Sequence, residues 1–163
     1  MKKLINPYDR EFNMCFGCGA ANPMGLKLSF TESEEFIHAV WLPVKNYEGY
    51  PNVLHGGIIA ALLDETGAWC ISVKVGTAGM TSEMRTKYLS PVYISKGEIS
   101  LRARIESKTE KAATIICQLF DGQSRLCAES VAEYFIYPPE IAKKRFRYPG
   151  REAFYGKNRQ DMA

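Results

Sequence analysis

Two acids at the end of an apolar stretch are the first sign of chemistry in this chain of 163 residues. Asp64 and Glu65 follow Gly57-Ile58-Ile59-Ala60-Ala61-Leu62-Leu63 without a break. A carboxylate in an apolar element is costly unless it is paired or hydrogen-bonded. The plain reading makes one acid a surface residue and the other a structural hydrogen-bonder; the functional reading makes one of them a base or nucleophile. His55-Gly56-Gly57 opens the same run. The first N–H groups of a helix lack internal partners and carry the positive end of its dipole, and glycines let a ligand come close to that backbone. A tight turn into the helix would also explain the glycines. An oxyanion cradle and an acid on one helix together describe acyl chemistry. There is no Gly-x-Ser-x-Gly elbow, and His38 and His55, the two histidines, leave few ways to build a Ser–His or Cys–His pair. The acid must then activate water or attack directly.

Neighbours on a helix point about 100° apart, so only one of the two acids can face such a site. Asp64 lies seven residues after Gly57, on nearly the same face. Gly56 and Asp64 are eight residues apart, or roughly 12 Å along the axis at about 1.5 Å per residue. A carbonyl held by the Gly56 N–H sits within about 3 Å of that nitrogen, out of reach of Asp64 on the same helix. A second copy of the helix, antiparallel across a two-fold axis, brings Asp64 of one subunit opposite Gly56 of the other. A homodimer with two shared sites is therefore expected, with a tetramer as its doubled form.

The elements that must position these residues can be read from periodicity. Residues 55–73 form the one convincing helix, apolar nearly all round and so buried, with a sheet wrapped about it. Segments 26–30 and 36–42 read as a strand pair. After Gly79 the period becomes two, and Glu98-Ile99-Ser100-Leu101-Arg102-Ala103-Arg104-Ile105-Glu106 alternates without fault. Ser95-Lys96-Gly97, Thr109-Glu110-Lys111 and Asp121-Gly122 mark turns, giving strands at 80–92, 97–107, 112–120 and 124–137. Consecutive strands without intervening helices exclude a doubly wound parallel sheet. An α+β layer remains: a curved antiparallel sheet around a long central helix.

The motifs add a resemblance. His55-Gly56-Gly57-Ile58-Ile59-Ala60-Ala61-Leu62-Leu63-Asp64-Glu65 resembles the His-Gly-Gly…Asp signature of hotdog-fold thioesterases, in particular the PaaI-like acyl-CoA thioesterase group. Cys15-Phe16-Gly17-Cys18-Gly19…Asn22-Pro23-Met24-Gly25-Leu26 resembles a segment common at the start of that group, and Thr81-Ser82-Glu83-Met84-Arg85-Thr86-Lys87-Tyr88-Leu89-Ser90-Pro91 resembles its next strand. The likeness covers about residues 14–137. It implies the hotdog fold and hydrolysis of an acyl-CoA to free acid and CoA. Asp64 takes the place of the catalytic carboxylate, Gly56 that of the N–H polarising the thioester carbonyl, and Thr81 that of the hydroxyl holding the attacking water; His55 heads the signature and is counted with them. Gly57, Asn52, Glu65, Trp69, Met80, Ser82 and Met84 are the expected substrate-lining residues. Many members carry an Asn six positions before the His. Here that position is Gly49, and the nearest amide is Asn52. The alternative is a non-catalytic acyl-CoA-binding hotdog protein.

Composition bounds the rest. Hydrophobic residues make up 46% and charged residues 24%, ordinary for a globular domain. Net charge is +3, with a local +4 in residues 138–163 and −1 in the body; this is not a polycation built for nucleic acid. No apolar run approaches the roughly 20 residues of a membrane span, and the start has no signal-peptide pattern. A cytoplasmic, reducing setting follows, with the five cysteines as thiols. Cys15 and Cys18 lack the second Cys pair that a four-ligand structural zinc site would need, so no metal and no cofactor are expected. Residues 1–137 form the hotdog domain, and 138–163 a basic extension, docked through its aromatic residues or loose.

Overall fold

The computed structural model describes residues 1–8 and 10–156. Among the described residues, one antiparallel sheet holds seven strands: β1 (Lys2–Lys3), β2 (Ser29–Glu32), β3 (Ile37–Trp41), β4 (Gly79–Tyr88), β5 (Ile99–Lys108), β6 (Ala112–Phe120) and β7 (Leu126–Ile136). Their spatial order is β1-β2-β3-β5-β6-β7-β4. Helix α1 (Gly56–Cys70) packs on the inner face of this sheet and runs on into a π-helical turn, Ile71–Val75. Gly76, at φ 81° in the left-handed region, ends it and returns its N–H to the Ile71 carbonyl. This is the hotdog arrangement, and the four expected strands after the helix all form, with ends shifted by at most four residues.

The core follows from the alternation. In β6, Ala113, Ile115, Cys117 and Leu119 point inward and are buried. In β5, Ile99, Leu101 and Ala103 do the same, meeting Cys117 and Leu119 through the Leu101–Leu119 and Ala103–Cys117 register. From α1, Ile59, Leu62, Leu63, Thr66, Gly67 and Cys70 supply the opposing face. This face is narrower than the all-round burial that the sequence suggests. Ile58, Ala60, Ala61 and Ala68 are half-buried and Gly57 is exposed, because the sheet of one chain covers one side of the helix. Gly67 lets the helix sit close to the sheet: an added Cβ would lie 2.5 Å from the Tyr134 hydroxyl and 3.2 Å from Cys117 Sγ.

Strand β4 is at one edge of the sheet. It pairs with β7 on one side, and along its ten residues the other side has no strand partner among the described residues. Edges of this length are ordinarily covered or paired.

The chain after Tyr137 is docked as far as Gly156. Pro139 to Phe146 forms a short helix, α2, that the sequence reading passes over; Pro138-Pro139 ends β7, and a proline at a first helical position also starts a helix. Phe154 is buried against Trp69, with ring centroids 5.3 Å apart at 84°. The Tyr148 hydroxyl donates to the Ser72 carbonyl at 2.7 Å. Tyr155 donates to Glu32 Oε2 at 2.7 Å, and Glu32 also meets Lys74 at 2.8 Å and Arg151 at 3.5 Å. Residues 157–163 of the basic extension lie outside the described residues. Among the described residues, no helix is long and apolar enough to cross a membrane.

Candidate active site

Helix α1 opens on His55. Its backbone is extended (φ −61°, ψ 135°), and its Nδ1 accepts the Gly57 N–H at 2.9 Å. The His55 carbonyl takes the Ile58 and Ile59 N–H groups. The imidazole is thus a helix cap, a use the sequence does not separate from catalysis. Among the described residues the Gly56 N–H has no hydrogen-bond partner. It is a free donor at the positive end of a 15-residue helix. Beside it is an open pocket of about 340 Å³, lined by Val53, Leu54, Gly56, Ile59, Tyr88 and Pro91 among others. Tyr88 closes over the helix start, its hydroxyl donating to the Gly56 carbonyl at 3.0 Å. Asp64 does not line this pocket.

Two turns further on, Asp64 meets the sheet. Its Oδ1 accepts the Thr81 hydroxyl from β4 at 2.8 Å. Tyr134, from β7, donates its hydroxyl to the Asp64 carbonyl at 3.1 Å and lies 3.4 Å from Oδ1. Burial, and then the Asp64 charge, push the Tyr134 hydroxyl well above its ordinary value, so it stays a proton donor. Tyr134 is absent from the sequence candidates. The available signal is its place in β7, where it follows the inward-facing Ser130 and Ala132: a buried Tyr needs a partner for its hydroxyl. Asp64 itself is half-buried, reachable by a substrate yet fixed by two neighbouring strands.

Glu65 turns the other way, as adjacent helix positions must. The Trp69 indole donates to its Oε1 at 3.2 Å, and Cys15 Sγ is 3.5 Å from its Oε2. Burial, followed by Cys15, pushes the Glu65 carboxyl up to about 7. The Cys15 thiol is held low by a hydrogen bond from Cys18, against the effect of burial, while Cys18 is held high by the same bond and by burial. Glu65 therefore lies with the N-terminal Cys-x-x-Cys loop and not with Asp64.

The other expected lining residues are dispersed. Asn52 spends its side chain on Ser95, giving Nδ2 to the hydroxyl and taking the backbone N–H on Oδ1, both at 2.9 Å. Gly49 backs onto His55, with 3.3 Å between a notional Cβ and the His55 Cα. Trp69 is a core residue stacked on Phe30 at 4.1 Å. Met80 is exposed on β4, Ser82 donates to the Glu133 carbonyl at 3.0 Å, and Met84 packs against the core. Of the sequence candidates, the structure brings together Asp64 with Thr81, His55 with Gly56 and Gly57, and Glu65 with Trp69, as three separate groups along one helix.

The model of the thioesterase superfamily matches residues 51–128, the stretch that contains the helix cap, Asp64 and Thr81. Over this stretch, a little under half of its length, the chain is similar to that superfamily. Within the thioesterase fold, a crystal structure of a thioesterase from Haemophilus influenzae superposes with a TM-score of 0.64 at 19% identity, covering 74% of this chain and 85% of that one. The Escherichia coli PaaI protein of a phenylacetic acid degradation operon gives 0.64 at 16% identity, covering 70% and 82%. A Streptococcus mutans protein bound to acetyl-CoA gives 0.63 at 16%, covering 69% and 90%. A Saccharolobus solfataricus protein named as a candidate esterase is 24% identical over 86 residues, 52% of this chain and 56% of its own. The chain thus spans little more than half the length of that relative.

Proposed function

We propose that the protein is a homodimeric acyl-CoA thioesterase whose two sites each combine Gly56 of one subunit with Asp64 and Thr81 of the other. The observation that carries this reading is the Asp64 carboxylate, fixed by Thr81 at 2.8 Å on the same helix that begins with a free Gly56 N–H. The roughly 12 Å between the two groups calls for a second helix. The bare β4 edge and the half-covered side of α1 are the surfaces on which a second copy would lie. The S. mutans structure of the same fold binds acetyl-CoA, which supports the substrate class.

In the proposed reaction the partner's N–H would polarise the thioester carbonyl and hold the oxyanion. Asp64 would take a proton from water as the water oxygen bonds to the carbonyl carbon. The C–S bond then breaks, and the CoA thiolate leaves and recovers the proton. In the other route the Asp64 carboxylate bonds to the carbonyl carbon and expels the thiolate, and water cleaves the resulting anhydride. Label in the Asp64 side chain after one turnover in ¹⁸O-water would establish the anhydride route, which alone can place it there.

The test is a panel of acyl-CoAs with release of free thiol as the readout, run on wild type and Asp64→Asn. A positioned carboxylate base contributes about 10²–10⁴-fold, and the variant should lose that much while staying folded. Retained activity in Asp64→Asn with loss in Glu65→Gln would reverse the assignment. The second reading is the non-catalytic acyl-CoA-binding protein: Gly49 stands where many members carry Asn, and Asn52 is committed to Ser95. A wild type that binds acyl-CoA and releases no thiol from any of the panel would establish that alternative.

A further inference from the structure

We propose that Cys15, Cys18 and Glu65 form a binding site for one thiophilic divalent cation, zinc by preference, that fastens the N-terminal segment to helix α1. One ligand atom from each residue lies within 4.8 Å of the other two. Cys15 Sγ and Glu65 Oε2 are 3.5 Å apart. A tetrahedral ion with bonds of about 2.3 Å to sulfur and about 2.0 Å to oxygen separates those two ligands by roughly 3.5 Å, so the observed spacing already fits the ion.

The loop has the build of a metal knuckle. The Gly19 N–H closes the Cys-x-x-Cys turn on the Cys15 carbonyl at 2.9 Å. A Cβ at Gly17 would strike the Glu65 side chain, and one at Gly19 would strike the backbone of Asn13 and Cys15. Gly17 thus permits the approach of the loop to the helix, and Gly19 the tight turn of the loop on itself.

Outer contacts orient the ligands. Asn6 Nδ2 donates to Cys18 Sγ at 3.2 Å, and the Trp69 indole takes Glu65 Oε1 at 3.2 Å, leaving Oε2 toward the sulfurs. Supporting hydrogen bonds of this kind are the usual surroundings of metal ligands. Among the described residues no lysine or arginine forms an ion pair with Glu65. A carboxylate against two thiols, without a cation, is the donor set that an N/O/S-seeking ion completes, and water fills the fourth position.

The expectation of no metal rests on counting cysteines. Glu65, fifty residues beyond Cys15, lies outside any local spacing rule. The site does not depend on the proposed hydrolysis, because Glu65 points away from Asp64 and Thr81.

The experiment is an anaerobic titration of the reduced full-length protein with Co²⁺ and then Zn²⁺. Absorption reports thiolate–cobalt charge transfer and tetrahedral geometry, native mass spectrometry gives stoichiometry, and circular dichroism monitors the fold. We expect one ion per chain, a thiolate band that is bleached by zinc, and loss of the band in Cys15→Ser and Cys18→Ser. Glu65→Gln keeps both thiols and the side-chain shape; it should bind at least about tenfold more weakly, and it stays informative if a cysteine variant fails to fold. Zinc should also raise the melting temperature of wild type more than that of Glu65→Gln. The proposal is overturned if the verified dithiol takes up no stoichiometric ion, if Glu65→Gln binds as tightly as wild type, or if the pair closes into a Cys15–Cys18 disulfide that excludes metal.

Discussion

A mixed dimer carrying two different lesions tests whether the sites are shared. Gly56→Pro removes the N–H proposed to bind the carbonyl. Position 56 is the first residue of α1, where proline is tolerated. His55 before it already has the extended backbone that precedes proline, and a Cβ at Gly56 would meet the Tyr88 ring at an ordinary 3.6 Å. The variant should therefore fold and lose one donor, a loss worth about 10²–10³-fold in kcat. Asp64→Ala removes the carboxylate and about 10²–10⁴-fold. In a two-fold dimer with sites built across the interface, a heterodimer gathers both lesions into one site and leaves the other intact. It should show about half the wild-type rate. Random co-assembly makes about half of all dimers heterodimers, so the mixture should run at roughly a quarter of wild type against parents at about 1% or less. The assay is thiol release from the best acyl-CoA, with two affinity tags to verify heterodimers. If each site takes Gly56 and Asp64 from one chain, every site of the heterodimer carries one lesion. Verified heterodimers that stay at the parental level would then refute the shared site.

Three further outcomes are expected. Thr81→Val keeps the shape and removes the hydrogen bond to Asp64 Oδ1; bonds to charged groups are worth about 1.5–3 kcal/mol, so kcat should fall roughly ten- to a hundredfold with KM little changed, and Thr81→Ser should restore most of it. Phe154→Ala empties a fully buried site between Trp69 and Tyr148 and should lower the free energy of unfolding by about 3–5 kcal/mol in a denaturant titration, whereas a loss near zero would show the extension to be undocked. Burial raises the Glu32 carboxyl, but hydrogen bonds from Lys74 and Tyr155 and the charges of Lys74 and Arg151 outweigh it and hold the group below the usual carboxylate range. Its stabilisation is therefore complete at neutral pH and is lost as pH falls through that lowered value; urea titrations from neutral to acid pH should show wild type converging on Glu32→Gln, and a gap that widens toward acid would contradict the assignment.

Local pattern made the strands and the helix legible. Ile99, Leu101 and Ala103 alternate with polar neighbours, and they are buried as that alternation requires. Asp64 could be separated from Glu65 because a rotation of about 100° between neighbours is a property of every helix. Partners set by tertiary packing were not legible. Tyr134 reaches Asp64 across 70 residues, and Glu65 finds Cys15 across 50. Trp69 read as a lining residue because a large aromatic in a helix suits a pocket as well as a core; Phe30 and Phe154 on either side of it decide for the core. Asn52 was the nearest amide in sequence, but its turn, with φ at 62°, aims it at Ser95. The aromatics of the extension announced a grip without naming what they hold, since Trp69, against which Phe154 packs, lies 85 positions earlier.

At Gly67 this molecule has no clearance for even one methyl group. The Tyr134 hydroxyl that would meet a Cβ at 2.5 Å is the same one that holds the Asp64 carbonyl at 3.1 Å. Clearance and alignment are therefore a single adjustment: a shim inserted at position 67 lifts the helix and drags the Asp64 carboxylate off Thr81 in the same movement. Gly67→Ala, one turn away from the acid and touching no substrate, would register as a fault of aim as well as of stability. Any remodelling of this chain that begins by filling its helix with better helix formers would misalign Asp64 at that residue first.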